Sequence, residues 1–119
     1  MSKLPAISVV MSVYNGATFL NESIESILRQ TCQDFEFIIV DDGSTDKSPE
    51  ILEKYSRYDE RIKIITQDNH GLAASLNTGI KIAKGEWIAR MDADDVCLRD
   101  RLKSQLECLK NTGADVCGG

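Results

Sequence analysis

The sequence predicts an α/β fold of the Rossmann-like kind, in which a mainly parallel sheet carries helices on both faces. Short apolar runs typical of strands alternate along the chain with segments of helical periodicity. The strand runs are almost continuously apolar, which indicates parallel strands buried on both faces. The predicted order is β-α-β-α-β-α-β-α-β, and right-handed crossovers would distribute the helices over both sides of the sheet.

Five apolar runs predict the strands, and four stretches between them predict the helices. The strand runs are ISVVMSV from Ile7, FEFIIV from Phe35, IKIIT from Ile62, WIARM from Trp87 and ADVC from Ala114. The helical stripes are Leu20, Ile24, Ile27 and Leu28; Ile51, Leu52, Tyr55 and Tyr58; Leu72, Leu76, Ile80 and Ala83; and Leu102, Leu106 and Leu109. Ser48 followed by Pro49 predicts an N-cap and first helical position for the second helix.

Size and composition limit the function. A chain of 119 residues allows one domain, residues 1–119, and the fifth strand ends where the sequence ends, so we expect the domain to be incomplete at its C-terminal end. The net charge of −5 argues against a nucleic-acid binder. The four cysteines form no C-x-x-C pair and are expected to be reduced, and no run is long enough to span a bilayer. A cytoplasmic location is therefore expected.

Polar and acidic residues follow four of the predicted strands. They read YNG from Tyr14, DDGSTD from Asp41, QDNHG from Gln67 and DADD from Asp92. In open parallel sheets, ligands bind at the carboxyl ends of the strands, where the strand order reverses. These four segments therefore predict a ligand site at one edge of the sheet.

The DADD segment predicts a divalent metal site. Residues i and i+2 of a strand point to the same side, so Asp92 and Asp94 would face one point if the strand geometry continues. Hard carboxylate oxygens suit Mg²⁺ or Mn²⁺, which share phosphate oxygens with a substrate. The small Ala93 would let a ligand approach the backbone, and Asp95 would cap the following helix. The alternative is that all three carboxylates only cap and solvate a loop.

The segments after the first two strands predict contacts to a nucleotide. Gly43 permits a tight turn with positive φ, and a carboxylate at Asp41 or Asp42 can accept a base N–H or a ribose hydroxyl. Tyr14 offers a flat face for stacking. The alternatives are a plain strand–turn–helix connection and a rim tyrosine. The sequence contains no glycine-rich phosphate loop, and His70 is interpreted as an ordinary loop residue.

Four motifs together resemble the family 2 glycosyltransferases with the GT-A fold, over nearly the whole chain: SVYNG, VDDGSTD, NHGLAASLNTGI and GEWIARMDADD. The resemblance implies an inverting enzyme that transfers a sugar from a UDP-sugar with Mn²⁺ or Mg²⁺. By similarity, Ser12 and Tyr14 would lie at the uridine, Asp42 would accept from the uracil ring, Asp92 would lie near ribose and metal, and Asp94 would bind the metal. The predicted nucleotide site comprises Ser12, Tyr14, Asn15, Asp42, Gly43, Asp92 and Ala93.

The sequence departs from the family pattern at two places. Leu76 precedes Asn77 where many relatives have arginine, and Arg99 and Asp100 stand where relatives often have proline. No general base is assigned, because in this family it lies beyond the position of Gly119. We therefore expect the chain to bind nucleotide without turning over sugar by itself.

The resemblance also implies an acceptor and a location. Family members build surface glycans, which implies a glycan or lipid-linked acceptor and, for a full-length protein, a position at the inner face of the plasma membrane. Alternative interpretations are a sugar-nucleotide pyrophosphorylase, a receiver-like Mg²⁺-binding signalling module and a non-catalytic nucleotide-binding fragment.

Overall fold

The computed structural model describes residues 5–30 and 34–92, which contain four strands and three helices. The elements are β1 (Ile7–Val13), α1 (Ala17–Leu28), β2 (Phe35–Asp42), α2 (Ser48–Tyr58), β3 (Ile62–Gln67), α3 (Leu72–Ile82) and β4 (Trp87–Asp92). The first four predicted strands and the first three predicted helices are confirmed. The predicted helix around Leu106 and the predicted strand from Ala114 lie outside the described residues.

The four strands form one parallel sheet in the order β3-β2-β1-β4. The central strands β1 and β2 are buried along their whole length, as their apolar sequences predict. β3 differs, because it pairs only with β2 in the described part of the sheet, and Lys63 and Thr66 are exposed. The parallel α/β architecture predicted from the sequence is thus present.

Helices cover both faces of the sheet. On one face, α1 and α2 pack against β1 and β2 through an apolar cluster that includes Leu20, Ile24, Ile27, Leu52 and Tyr55. On the other face, α3 packs through Leu76 against Val10, Ile38 and Val40. A Cβ atom at Gly79 of α3 would lie 2.5 Å from Val10 Cγ1, so only glycine lets this helix approach the sheet so closely. None of the helices in residues 5–30 and 34–92 is long and apolar enough to cross a bilayer.

A buried carboxylate joins the strands at the amino edge of the sheet. Glu36 in β2 is 4% exposed and accepts hydrogen bonds from Ser8 Oγ, from Lys63 Nζ at 2.9 Å and from the backbone N–H of Lys84. Burial by itself would raise the pKa of Glu36, but the hydrogen bonds from Ser8, Lys63 and Lys84 outweigh it and lower the pKa. The turn between α3 and β4 is therefore attached to β2, which fixes the start of β4.

The start of α2 differs from the prediction for Ser48. The N-cap residue is Lys47, and Ser48 is the first residue of the helix. Its hydroxyl accepts a hydrogen bond from the backbone N–H of Gly16, 3.1 Å away at the start of α1. The serine hydroxyl therefore accepts an N–H group at the start of the neighbouring helix α1 and not one of its own helix α2.

Candidate functional site

The strand order reverses at β1, and this is where the predicted site lies. From β1 the chain continues to β2 and β3 on one side, and then crosses to β4 on the other side. The register pairs Ser12 with Asp92 and Val13 with Asp41. A crevice beyond the carboxyl ends of β1 and its neighbours is the expected ligand position in such a sheet. Predicted site residues from three strands thus meet at one edge.

Asp42, the last residue of β2, is a buried carboxylate that holds the loop after β3. Its Oδ1 accepts hydrogen bonds from Gln67 Nε2 and the His70 backbone N–H, both at 2.9 Å, and its Oδ2 accepts one from the Gly71 N–H at 2.9 Å. Burial would raise the pKa of Asp42, but these donors and the Ser75 hydroxyl together lower it. The side chain, 2% exposed, is therefore held as an anion in a fixed orientation.

Gln67 is fixed in turn by α3. The Thr78 hydroxyl donates to Gln67 Oε1 at 3.1 Å, and Gln67 Nε2 donates to Ser75 Oγ at 3.3 Å as well as to Asp42. With the amide oxygen facing Thr78, the amide N–H groups face the carboxylate. The sequence analysis placed Gln67 in the polar segment after the third strand but did not predict that it orients Asp42. No sequence signal reveals this role, because the register that pairs Gln67 with Asp42 is set by the tertiary structure.

Gly43 makes the turn after β2, as predicted. Its φ of 78° is left-handed, and a Cβ atom there would lie 2.8 Å from the Asn69 backbone nitrogen. Asn69 Nδ2 also donates to the Asp42 carbonyl oxygen at 3.1 Å. Any other residue at position 43 would combine backbone strain with a clash, so this glycine lets the loops after β2 and β3 lie against each other.

Tyr14 and Ser12 lie at the end of β1. The Tyr14 side chain is 55% exposed, which leaves its ring accessible for stacking. Ser12 is buried in the strand beside the end of β4. Both residues lie at the carboxyl end of β1, where the strand order reverses. Their contacts to a uridine stay predictions.

Asn15 joins the loop after β1 to the loop after β2. Its φ is 53°, and its Oδ1 accepts from the Thr45 backbone N–H at 2.8 Å and from the Asp46 N–H at 3.3 Å. Its own backbone N–H donates to Ser44 Oγ at 2.9 Å. Asn15 was predicted to contact nucleotide, and the structure gives its side-chain carbonyl a partner within the protein.

Asp46 is bound to the first residues of two helices. Its Oδ2 accepts from the Ala17 N–H of α1 at 3.1 Å, and its Oδ1 accepts from the Ser48 N–H of α2 at 2.8 Å. Hydrogen bonding to Ser48 is the main cause that lowers the pKa of Asp46, and it outweighs the effect of desolvation. One carboxylate thus accepts an N–H group from the start of each of the two helices.

The predicted metal ligands come from the end of β4. The backbone of Asp92 pairs with Ser12 at the strand-order reversal, whereas Ala93 and Asp94 lie outside the described residues. Within the ranges 5–30 and 34–92, no group of three His, Cys, Asp or Glu residues is arranged to hold a metal ion. Asp42 already accepts protein donors at both oxygens. The donor chemistry of Asp92 and Asp94 fits Mg²⁺ or Mn²⁺, and their metal role stays a prediction.

An open groove between α1 and α2 is a different kind of surface. It is lined by side chains of both charges together with Tyr55 and Tyr58. The Tyr55 hydroxyl donates to Glu25 Oε1 at 3.0 Å, and burial together with this carboxylate raises the pKa of Tyr55 to about 12. The groove lies on the helical face and contains none of the predicted site residues, so we place the site at the strand ends.

Comparison with known sequences shows similarity to glycosyltransferases. The model of the family described as glycosyl transferase family 2 matches residues 8–119. The glycosyltransferase GlyG of Streptococcus pneumoniae is 43% identical over 117 residues, which are 98% of this chain and 38% of GlyG. EpsJ of Bacillus subtilis, an uncharacterized glycosyltransferase, is 40% identical over 97% of this chain and 33% of its own length. The chain thus spans about a third of these relatives.

Solved structures show the same fold. Residues 1–349 of S. aureus TarS in complex with UDP match with a TM-score of 0.83 and 29% identity, over 92% of this chain and 33% of that one. A mannosyltransferase from Pyrobaculum calidifontis, in complex with GDP-Man and Mn²⁺, matches with a TM-score of 0.82 and 26% identity, over 91% of this chain and 33% of that one. The expected GT-A architecture is confirmed, and the chain belongs to glycosyl transferase family 2.

Proposed function

We propose that this chain is the donor-binding part of a glycosyltransferase that takes a sugar from a UDP-sugar, with inversion at the anomeric carbon. The supporting observation is the strand-order reversal at β1, which puts Ser12, Asp42 and the end of β4 at one edge. The relatives are named glycosyltransferases, and solved structures of TarS contain UDP or UDP-GlcNAc. The chain spans about a third of the length of these relatives, so the transfer reaction of a whole protein is part of this proposal.

The base and ribose would be bound by residues of β1, β2 and β4. We assign the exposed ring of Tyr14 to stacking on the uracil and the buried Ser12 to the wall of the site. By similarity to the family, Asp42 is assigned to accept the uracil imide N–H; its carboxylate has about four lone-pair sites, and Gln67, His70 and Gly71 occupy three of them. Asn15 and Gly43 shape the adjoining loops, and Asp92 and Ala93 would border the ribose.

Asp92 and Asp94 would hold Mn²⁺ or Mg²⁺ against the diphosphate. When bound, the metal supplies Lewis-acid stabilisation of the charge that develops on the leaving nucleoside diphosphate. The two aspartates supply hard oxygen ligands at the end of β4. One N–H group at the start of each helix, that of Ala17 in α1 and that of Ser48 in α2, already donates to Asp46. We assign the charge of the diphosphate to the metal site.

The second half of the reaction takes place at the sugar. The acceptor hydroxyl must lose a proton to a general base on the face opposite the leaving group. We assign that base to the part of the protein beyond Gly119. The acceptor we propose is a glycan or lipid-linked saccharide in the synthesis of a surface polysaccharide, made at the inner face of the plasma membrane.

Calorimetric titration of the chain with UDP, with and without Mn²⁺, tests the proposal. We expect metal-dependent binding, and we expect Asp94→Ala to abolish the metal dependence while the melting temperature stays the same or rises. Asp68→Ala, which removes an exposed carboxylate from the loop after β3, is the matched control and should bind UDP like the unmodified chain.

Three results would contradict the proposal. The first is a folded sample that does not bind UDP at millimolar concentration in the presence of Mn²⁺. The second is an Asp94→Ala variant that keeps its metal dependence. The third is tighter binding of GDP than of UDP, which would overturn the choice of base while leaving the nucleotide-sugar class intact.

A further inference from the structure

We propose that Asn15 and Asp46 are positioning residues for nucleotide binding, which clamp the loop after β1 to the loop after β2. The inference rests on the proposed function and concerns residues that hold the site rather than touch the ligand. The clamp is defined by the side chains of Asn15 and Asp46 and their backbone partners Thr45, Ala17 and Ser48. It joins positions about 30 residues apart in the chain.

The Asn15 half of the clamp depends on an unusual backbone conformation. Asn15 is the single non-glycine residue with positive φ in the part of the chain that the structure describes. Asparagine tolerates this conformation better than most residues. The left-handed turn comes directly after Tyr14, and the side-chain oxygen Oδ1 of Asn15 accepts hydrogen bonds from the Thr45 and Asp46 N–H groups. The position of the predicted stacking residue is thus linked to the opposite loop.

The Asp46 half of the clamp satisfies two helices with one carboxylate. Neither α1, with Gly16 at its N-cap, nor α2, with Lys47, has a side-chain cap of its own. Asp46 Oδ2 serves Ala17 of α1 and Oδ1 serves Ser48 of α2. Moving the two helix starts apart would break the hydrogen bonds from Ala17 to Asp46 and from Gly16 to Ser48 and leave both N–H groups without these acceptors, so the two loops are expected to move together.

This coupling matters for the ligand because each loop continues from a strand that carries a site residue. Tyr14 precedes Asn15, and Asp42 precedes the Gly43 turn that leads to Asp46. If the loops separate part of the time, only the clamped fraction has both residues in position. The apparent dissociation constant then rises in inverse proportion to that fraction. The clamp therefore affects nucleotide affinity without a contact to the nucleotide.

Variants at Asn15 separate the acceptor from the backbone conformation. Asn15→Gly keeps the left-handed φ and removes the acceptor, and we expect UDP affinity in the presence of Mn²⁺ to fall about tenfold, equivalent to about 1.4 kcal/mol. Asn15→Asp keeps both the acceptor and the tolerance of positive φ, and it should restore affinity to within about threefold. Asn21→Ala removes an exposed asparagine from α1 and serves as the control.

Variants at Asp46 test the shared cap. Asp46→Asn retains one acceptor oxygen, so we expect one helix start to lose its cap and UDP affinity to fall about tenfold. Glu50→Gln removes the same charge from the first turn of α2 without touching α1, and its affinity should stay within about twofold. Amide hydrogen exchange without nucleotide adds a second measurement. Asn15→Gly should speed exchange at Thr45, and Asp46→Asn should speed it at Ala17 or Ser48.

The outcomes distinguish the clamp from the proposed function. Failure of the unmodified chain to bind UDP overturns the proposed function and the nucleotide role of the clamp with it. Normal UDP binding by Asn15→Gly overturns the positioning role alone, as does an Asn15→Asp variant as weak as Asn15→Gly. Unchanged exchange at Thr45 in Asn15→Gly overturns the clamp itself, whatever the ligand.

Discussion

Asp42→Asn is expected to release the loop after β3 while leaving the sheet intact. Three N–H groups converge on the carboxylate, two at Oδ1 and one at Oδ2. An asparagine offers one oxygen, and its NH₂ group must then face one or two of those donors. The better orientation keeps the oxygen toward Gln67 and His70, so the Gly71 N–H loses its acceptor.

The size of the effect follows from these contacts. A buried donor without an acceptor costs about 1–3 kcal/mol, and each remaining hydrogen bond loses the extra strength of a charged acceptor, about 1 kcal/mol. Relief from burying an anion offsets part of this loss. We therefore expect the substitution to lower the free energy of opening of the loop after β3 by about 2–3 kcal/mol. This change raises the equilibrium constant for opening by at least about thirtyfold.

Amide hydrogen exchange at His70 and Gly71 measures this opening directly. We expect protection of both amides to fall in Asp42→Asn, while the amides of β1 keep theirs. Asp68→Asn, which removes an exposed carboxylate from the same loop, should leave protection unchanged. The lowered pKa of Asp42 gives the same loop a pH dependence. Its contribution to stability is complete above the ordinary aspartate pKa and is lost as the pH falls through the lowered value.

Equal protection of His70 and Gly71 in Asp42→Asn and the unmodified chain would refute this reasoning. So would a loss of the same size in Asp68→Asn, because the effect would then come from net charge and not from the hydrogen bonds. Loss of protection throughout β1 would mean that Asp42 supports the whole sheet, which the local contacts do not predict.

Two further predictions concern opposite ends of the sheet. Tyr14→Ala should weaken UDP binding by about tenfold, because stacking on an aromatic ring contributes about 1–3 kcal/mol per base. Calorimetry measures the affinity, and an unchanged affinity would exclude stacking. Glu36→Gln should lower the free energy of unfolding by about 2–4 kcal/mol in urea titrations at neutral pH, because Lys63 and Ser8 lose an ionised acceptor. Because the pKa of Glu36 is lowered, the difference from the unmodified chain should shrink as the pH falls through that value, and a constant difference would contradict the assignment.

Local sequence patterns predicted all seven elements of the described fold. Apolar runs located β1, β2, β3 and β4, and helical stripes located α1, α2 and α3, because burial on a strand or helix face imposes a short period on the sequence. The boundary at Ser48 was wrong in its detail, since the serine hydroxyl serves Gly16 of another helix. A capping pattern in the sequence cannot distinguish an acceptor used within its own helix from one used by a neighbour.

For the site, too, the sequence predicted the positions of residues but not their partners. The positions of Asp42, Gly43 and Tyr14 at strand ends followed from the sequence, and so did the left-handed turn at Gly43. The partners of Asp42 did not, because Gln67, His70 and Gly71 come from a different loop. Leu76 illustrates a departure from the family pattern that the structure explains, since it is 7% exposed and packs in the core against Val10 and Ile38.

By itself, the sequence determined the order of strands and helices, the clustering of polar residues after the strands and the membership of glycosyl transferase family 2. Only the tertiary structure decided that β4 pairs with β1, which brings Asp92 beside Ser12. It also decided that Asp46 is shared by two helices and that Asn15 joins two loops. The physical reason is distance along the chain: periodicity reports local burial, whereas these contacts depend on how crossovers bring remote segments together.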